Sequence, residues 1–330
     1  MSHVINSHIR LHRDQSFLEN FSAVREGLCA LVSAGYVEIM MGPSILANDI
    51  IAGQLALLGR PGLVLVSGEF GQRLVRNANG AKLFFHTLEI SAGESFRRDT
   101  IEKVLNAHSE IEWIWGMHCE TSTGVLNDVE MYKKICAERN LKLCLDCISS
   151  IGSVPLNLSG VYLASWASGN GLASPAGLAV VFHDHELEPA PDDLPCVLDL
   201  GLYHQHKHGV PFSLEPHLIQ TLLVALTGHD LAQRYEEICS WSKTFRRKLT
   251  EIDAAILAPD SCAMPAIITI ALPDVHSSEV IGKKLKNYGM SVGYRSSYLR
   301  ERNWIQARIS TSEYFTPERF VNLLREELVR

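Results

Sequence analysis

Leu141–Phe182 reads LKLCLDCISSIGSVPLNLSGVYLASWASGNGLASPAGLAVVF, and its punctuation sets the fold class. Leu141–Leu145 is a short apolar run between polar residues, the pattern of a strand buried on both faces in a parallel sheet. It ends on Asp146, and ligands of open α/β sheets sit outside the carboxyl ends of such strands. Two further apolar runs, Val161–Ser165 and Gly177–Phe182, flank the loop Ser168-Gly169-Asn170-Gly171. Small residues there let a bulky ligand approach the backbone. A carboxylate and a small-residue loop therefore face one crevice.

Outward from this stretch the pattern alternates. Helical periodicity runs from Ser16, read as a cap, to about Val32, and Tyr36–Met41 reads as the first strand. Gly42-Pro43-Ser44-Ile45 leads into a helix through Leu58, a strand–turn–helix start at which free amides suit an anion. Further strands are expected at Gly62–Ser67, Lys82–His86 and Ile111–Met117, a turn at Gly68–Arg73 and a helix at Asp99–His108. Asn127 or Asp128 caps a helix ending near Asn140. Beyond His217–Leu226 and Asp230–Leu249, both helical, the runs Ala266–Leu272, Ser277–Tyr288, Trp304–Ser310 and Pro317–Leu328 alternate strand and helix, which is α+β.

Composition narrows the function classes. The 330 residues are 46% hydrophobic and 20% charged, with mean hydropathy +0.05. A net charge of -7 argues against nucleic acid or an anionic membrane as a partner. Nothing reaches membrane-spanning length and Met1–Arg13 lacks a leader's apolar core, so a cytoplasmic location is expected. The eight cysteines do not form a disulfide framework. Cys144 and Cys147 have redox-pair spacing, but their odd separation sends them to opposite faces of a strand. His204, His206 and His208 alternate as ligands on one strand face would, without a carboxylate or thiolate nearby in sequence, so they read as surface histidines and no metal is expected.

The central stretch, with His118-Cys119-Glu120-Thr121-Ser122-Thr123-Gly124-Val125, resembles the class V aminotransferases. These are fold-type I pyridoxal-phosphate (PLP) enzymes and include alanine-glyoxylate, serine-pyruvate and 2-aminoethylphosphonate transaminases. The resemblance covers nearly the whole chain from about Ser7. It implies an α/β large domain with a mostly parallel seven-stranded sheet (16–229), a small α+β C-terminal domain (230–330) and an N-terminal arm (1–15). Ser7-His8 and His12-Arg13 match a stretch preceding the family's dimer-interface helix, so a homodimer is expected.

The resemblance also implies roles. Asp146 faces the ring nitrogen and Ile148 closes the ring's far side. Phe70, in Gly68-Glu69-Phe70-Gly71-Gln72-Arg73, stacks on the ring, the alternative being a core phenylalanine. Ser122 and Thr121 bond a ring oxygen or the substrate carboxylate. Ser44, Ile45 and Ser168 belong to the cofactor site, and Tyr203 and Ser213 reach a partner's phosphate. Arg308, in Arg308-Ile309-Ser310, grips an amino- or keto-acid carboxylate.

Two departures govern the chemistry. Counting seven residues back from Gly177 places Asn170 where the family has its Schiff-base lysine, and no lysine lies between Lys142 and Lys207. An amide is neither a useful nucleophile nor a base near neutral pH, so standard transamination is not expected. The family's Gly-Ser-Gly-Thr phosphate turn has become Gly42-Pro43-Ser44-Ile45, which removes one amide donor and one hydroxyl. Three functions stay open. One is a divergent enzyme holding PLP or pyridoxamine phosphate (PMP) non-covalently, with a histidine such as His118 as the base. Another is a catalytically inactive homologue, a regulatory subunit or a partner for an active relative, with or without cofactor. The last is cofactor-independent chemistry on Cys119, His118 or the histidines at 204–208.

Overall fold

The computed structural model describes residues 14–228, 230–290, 292–309 and 316–329; the arm motifs Ser7-His8 and His12-Arg13, and Ser310, lie outside them. The chain runs α1 (Gln15–Val32), β1 (Tyr36–Met41), α2 (Ile45–Leu58), β2 (Gly62–Val66), α3 (Glu69–Gly80), β3 (Phe85–Glu89), α4 (Arg98–Ala107) and β4 (Trp113–Met117). A short hairpin, β5 (Cys119–Glu120) and β6 (Val125–Leu126), precedes α5 (Val129–Arg139), β7 (Lys142–Asp146), β8 (Leu163–Ala167) and β9 (Leu178–His183). There follow α6 (Leu200–Gln205), α7 (Pro216–Thr227), α8 (Leu231–Thr250), β10 (Ala255–Ile256), β11 (Ile267–Ala271) and α9 (Ser278–Asn287). The chain closes with β12 (Val292–Gly293), α10 (Ser297–Glu301), β13 (Trp304–Arg308) and α11 (Pro317–Val329).

Seven strands form the large sheet in the order β1-β9-β8-β7-β4-β2-β3. β3, β2, β4, β7 and β8 are mutually parallel, and β9 runs antiparallel to both β8 and β1. Its central strands are buried throughout, as a sheet covered on both faces requires. One face packs on α1, α5 and α7 through residues such as Phe21, Leu28, Tyr132 and Leu222. The other packs on α2 and α3 through Ile50, Ile51, Leu74 and Trp115. Cys144 and Cys147 fall on these opposite faces, both buried with their thiols pushed up by burial, which leaves no dithiol pair. A second, antiparallel sheet, β10-β11-β13-β12, packs on α8, α9 and α11 around Phe245 and Phe320.

Several sequence expectations shift. Asp14, not Ser16, is the N-cap of α1. Gly68–Arg73 is the start of α3 rather than a free turn. The third strand begins at Phe85, because Lys82 takes a left-handed backbone (φ 55°) and closes the turn behind α3. Strand β4 starts at Trp113, two residues late. The histidines of 204–208 share no strand face, since Asp199 caps a helix that carries His204 and ends at Gln205. As expected, Asp128 caps α5 by accepting the Met131 amide.

The hairpin after β4 joins the two sheets. Gln306 Nε2 donates to the Thr121 carbonyl (2.6 Å), Thr269 Oγ1 to the Ser122 carbonyl (3.0 Å) and the Met264 amide to the Gly124 carbonyl (2.8 Å). Gly124 has φ 77°, and a Cβ there would stand 2.8 Å from the Ile267 carbonyl oxygen. Substitution Gly124→Ala therefore combines a disfavoured backbone with a clash at the junction. It is expected to cost about 1–3 kcal/mol, read as a lowered urea midpoint; an unchanged midpoint would mean that the junction is not tightly held.

Candidate functional site

Asp146 ends β7 at the carboxyl edge of the parallel strands, 4% exposed. Its Oδ1 accepts the Ile148 amide at 2.9 Å, and its Oδ2 accepts the Asn48 side-chain amide at 2.7 Å. Asn48 in turn accepts from Ser165 Oγ at 2.7 Å, which fixes which way its amide points. α2, β7 and β8 are thereby tied by one buried polar chain. Burial pushes the Asp146 carboxyl up from 3.8 to about 6, with the Asn48 and Ile148 bonds and the Arg73 guanidinium pulling it back.

The small-residue loop between β8 and β9 is braced from within. The Ser168 hydroxyl donates to the Pro175 carbonyl (2.7 Å) and accepts the Leu178 amide (3.3 Å), so it is spent on the loop. Asn170 is partly exposed; its carbonyl takes the Leu172 amide at 2.6 Å. Gly171 follows at φ 62°, where a Cβ would fall 1.9 Å from the Ile151 carbonyl oxygen, and its own carbonyl accepts from Arg234 at 2.8 Å.

The turn into α2 places Pro43 and Ser44 before the helix. Ser44 stands at the N-cap position of α2 with helical backbone angles and makes no side-chain cap bond, so its hydroxyl is not spent there. The Leu46 and Ala47 amides bond back to the Pro43 and Ser44 carbonyls. The Ser44 and Ile45 amides have no helical carbonyl before them to meet. The start of α3 is different. Glu120, fully buried, accepts the Phe70 and Gly71 amides (3.3 and 2.9 Å) and the Ser122 amide and hydroxyl (3.1 and 2.5 Å). Ser122 Oγ also accepts the Glu69 amide at 3.1 Å. This helix end is thus sealed by the chain's own carboxylate.

Phe70 is partly buried, with the Arg73 guanidinium 4.5 Å from its ring centre. The Thr121 hydroxyl donates to Ser149 Oγ at 2.6 Å. His118 follows β4, and its amide donates to the Asp146 carbonyl at 2.9 Å. Its Nδ1 is buried without a hydrogen-bond partner, and burial pushes its imidazole from 6.5 down to about 4. Ile148 is partly exposed beside Asp146. Arg308 ends β13, exposed, and its charge is felt at Cys119. Tyr203 on α6 and the exposed Ser213 line a separate cavity of about 240 Å³ with Met41 and Phe212.

The backbone therefore gathers Asp146, Ile148, His118, Thr121 and Ser122 at one edge, with Phe70 and Ser44 on the helices facing it, while Tyr203 and Ser213 stand apart. Four contributors were missed from sequence: Asn48, Glu120, Gln306 and Arg234. Only Glu120, inside the His118–Val125 motif, carried a local signal; the others act across long sequence separations.

Residues 72–194 match the family model "Aminotransferase class-V". The 2-aminoethylphosphonate–pyruvate transaminase of Pseudomonas putida strain F1 is 24% identical over 274 residues, 79% of this chain and 74% of that protein. The soluble hydrogenase small subunit of Synechococcus sp. PCC 6716 is 25% identical over 304 residues, 88% of this chain and 79% of that one. Among solved structures, the alanine–glyoxylate aminotransferase of Nostoc sp. superposes with a TM-score of 0.84 at 21% identity, covering 97% of this chain and 89% of that one. The pyridoxamine–pyruvate aminotransferase of Mesorhizobium loti gives 0.85 at 18% identity, covering 98% and 86%. The segment 72–194 is thus similar to the class V aminotransferases, and the fold of the chain is the one shared by these aminotransferase structures.

Proposed function

We propose that the crevice at the ends of β4 and β7 holds a vitamin B6 ring, PLP or PMP, without a covalent bond to the chain. The observation that carries this reading is Asp146. Its bonded partners are two neutral amides, so burial leaves its charge without a close counterion and raises its carboxyl to about 6. A protonated ring nitrogen is the cation that such a site lacks. When bound, the ring supplies an electron sink for charge developing on a substrate carbon.

The chain's residues fit the ring better than they fit a covalent link. Asp146 would hold the ring nitrogen's proton, Ile148 and Phe70 would pack against its faces, and the Ser44 and Ile45 amides with the Ser44 hydroxyl would meet the phosphate. The Arg308 guanidinium is suited to a substrate carboxylate. Asn170 offers no amine, so a proton would pass to another base; His118, held neutral by burial, is the candidate. Small amino or keto acids are the ligand class, in a homodimer to which Tyr203 and Ser213 contribute. A second reading, an inactive homologue serving as partner subunit, draws support from the hydroxyls of Thr121, Ser122 and Ser168, all engaged within the chain. Cofactor-independent thiol chemistry is disfavoured, because burial pushes the Cys119 thiol up and away from thiolate.

Added PMP is expected to quench tryptophan fluorescence saturably and to be lost on dialysis, and Asp146→Asn should abolish the quench. No response at millimolar ligand would favour the inactive-homologue reading. Asn170→Lys, with Pro43, Ser44 and Ile45 restored to Ser, Gly and Thr, should give a link to PLP that borohydride fixes at position 170. Failure to label would mean that the loop no longer faces the ring.

Stability should carry the Asp146 signature. Its folded value lies above 3.8, so between about pH 4 and 6 the folded state keeps a proton the unfolded chain has released, and stability falls as pH rises. His118 acts oppositely: its folded value of about 4 lies below 6.5, so stability rises with pH across an overlapping window. The two largely offset each other in the wild type. Relative to it, Asp146→Asn is expected to gain on the order of 2–3 kcal/mol between pH 4 and 6.5, measured by urea unfolding. Parallel curves would contradict a buried, uncompensated carboxylate.

A further inference from the structure

Away from the crevice, Glu38 of β1, His183 of β9 and His204 of α6 converge, with side-chain exposures of 0, 0 and 7%. His183 Nδ1 lies 2.8 Å from the His185 carbonyl oxygen. A carbonyl can only accept, so Nδ1 carries the proton and a neutral His183 presents a bare lone pair at Nε2. His204 Nε2 lies 2.8 Å from Glu186 Oε2, which likewise puts the lone pair of a neutral His204 on Nδ1. Those two lone pairs face the same atom, Glu38 Oε1, at 3.5 and 3.2 Å. Glu38 Oε2 and His183 Nε2 are buried without a hydrogen-bond partner. Three electron-rich atoms meeting out of water repel unless a cation stands between them.

Protons serve this arrangement poorly. A proton on His204 Nδ1 would satisfy its 3.2 Å contact with Glu38 Oε1, but the 3.5 Å separation from His183 Nε2 is long for an N–H···O bond. Protonating both rings would set two imidazolium rings 4.9 Å apart, centre to centre, beside Arg25, which already donates to Glu38 Oε1 at 3.0 Å. A metal ion serves it well. Bonds of 2.0–2.1 Å to a tetrahedral ion imply ligand atoms about 3.4 Å apart; the two nitrogen–oxygen spacings are 3.5 and 3.2 Å, and all three ligand atoms lie within 4.8 Å of one another. The outer contacts are those metal-bound histidines use, a carboxylate behind one ring and a backbone carbonyl behind the other. Tyr36 adds its ring, stacked on His183 at 5.1 Å, and its hydroxyl, donating to Glu186 Oε1 at 2.6 Å. Among the described residues a second imidazole–carboxylate group, His86, His108 and Glu110, is half exposed, and water can serve it.

We propose that His183 Nε2, His204 Nδ1 and the Glu38 carboxylate bind one divalent transition-metal ion of the imidazole-preferring kind, Zn²⁺ being the reference. The ion clasps β1, β9 and α6 together and holds the Glu186 side chain against them. It is structural: β9 runs from the crevice at Leu178 to His183, so five residues, about 17 Å of strand, separate it from the ring site.

Tag-free full-length protein, stripped with chelator and desalted after incubation with Zn²⁺ or Co²⁺, is expected to retain one equivalent per chain. Cobalt should show the visible d–d absorption of a nitrogen- and oxygen-ligated four-coordinate site. His183→Gln and His204→Gln should lose the equivalent, Glu186→Gln should weaken it about 10–100-fold, and His206→Gln with His208→Gln should leave it intact. Wild-type protein that retains no metal overturns the proposal whatever the variants do. So does an equivalent that survives both His183→Gln and His204→Gln, since the ion would then sit elsewhere. If those two variants do not fold, the Glu186→Gln affinity decides: unchanged binding overturns the assignment.

Discussion

A carboxylate kept out of water at the end of β7 is the constraint on which the crevice rests. Asp146 is anchored by the Asn48 amide and the Ile148 backbone, and Asn48 is oriented by Ser165. Helix α2 is thereby fixed against β7 and β8. Without a cation the cost of the buried charge falls on the fold, and with one it becomes affinity. The same residue so links stability to pH response.

Around that anchor the chain has redistributed its polar groups. Glu120 closes the start of α3, Ser122 and Thr121 bond to protein neighbours, and the loop at Asn170 is braced by Ser168 and Arg234. These contacts hold the crevice's shape. The small sheet takes part through Gln306 of β13 and Thr269 of β11, which bond to the hairpin's carbonyls, and Arg308, two residues on from Gln306, is near enough for its charge to be felt at Cys119.

Much of this was legible in the sequence because strands buried on both faces announce themselves. Val64, Trp115, Leu145 and Val180 sit where their apolar runs put them, and Asp146 ends its strand as its position in the run implied. Local signals failed where turns or distant partners decide. The left-handed Lys82 delayed β3, and the helix of α6 broke the alternation of the histidines at 204–208. His204 reads as a surface residue until Glu38, 166 positions away, is found against it. Asn48 gave no sign either, since an asparagine three residues into a helix declares a partner only in three dimensions.

The central claim is that the crevice keeps a place for the B6 ring and offers it nothing to join. Crystals of the wild-type chain grown with PLP test it most directly. The account predicts ring density beside Asp146, with the ring nitrogen in hydrogen-bond reach of the carboxylate and the aldehyde carbon bonded to no residue. Continuous density from that carbon to any lysine, or a ring lying away from Asp146, would contradict it.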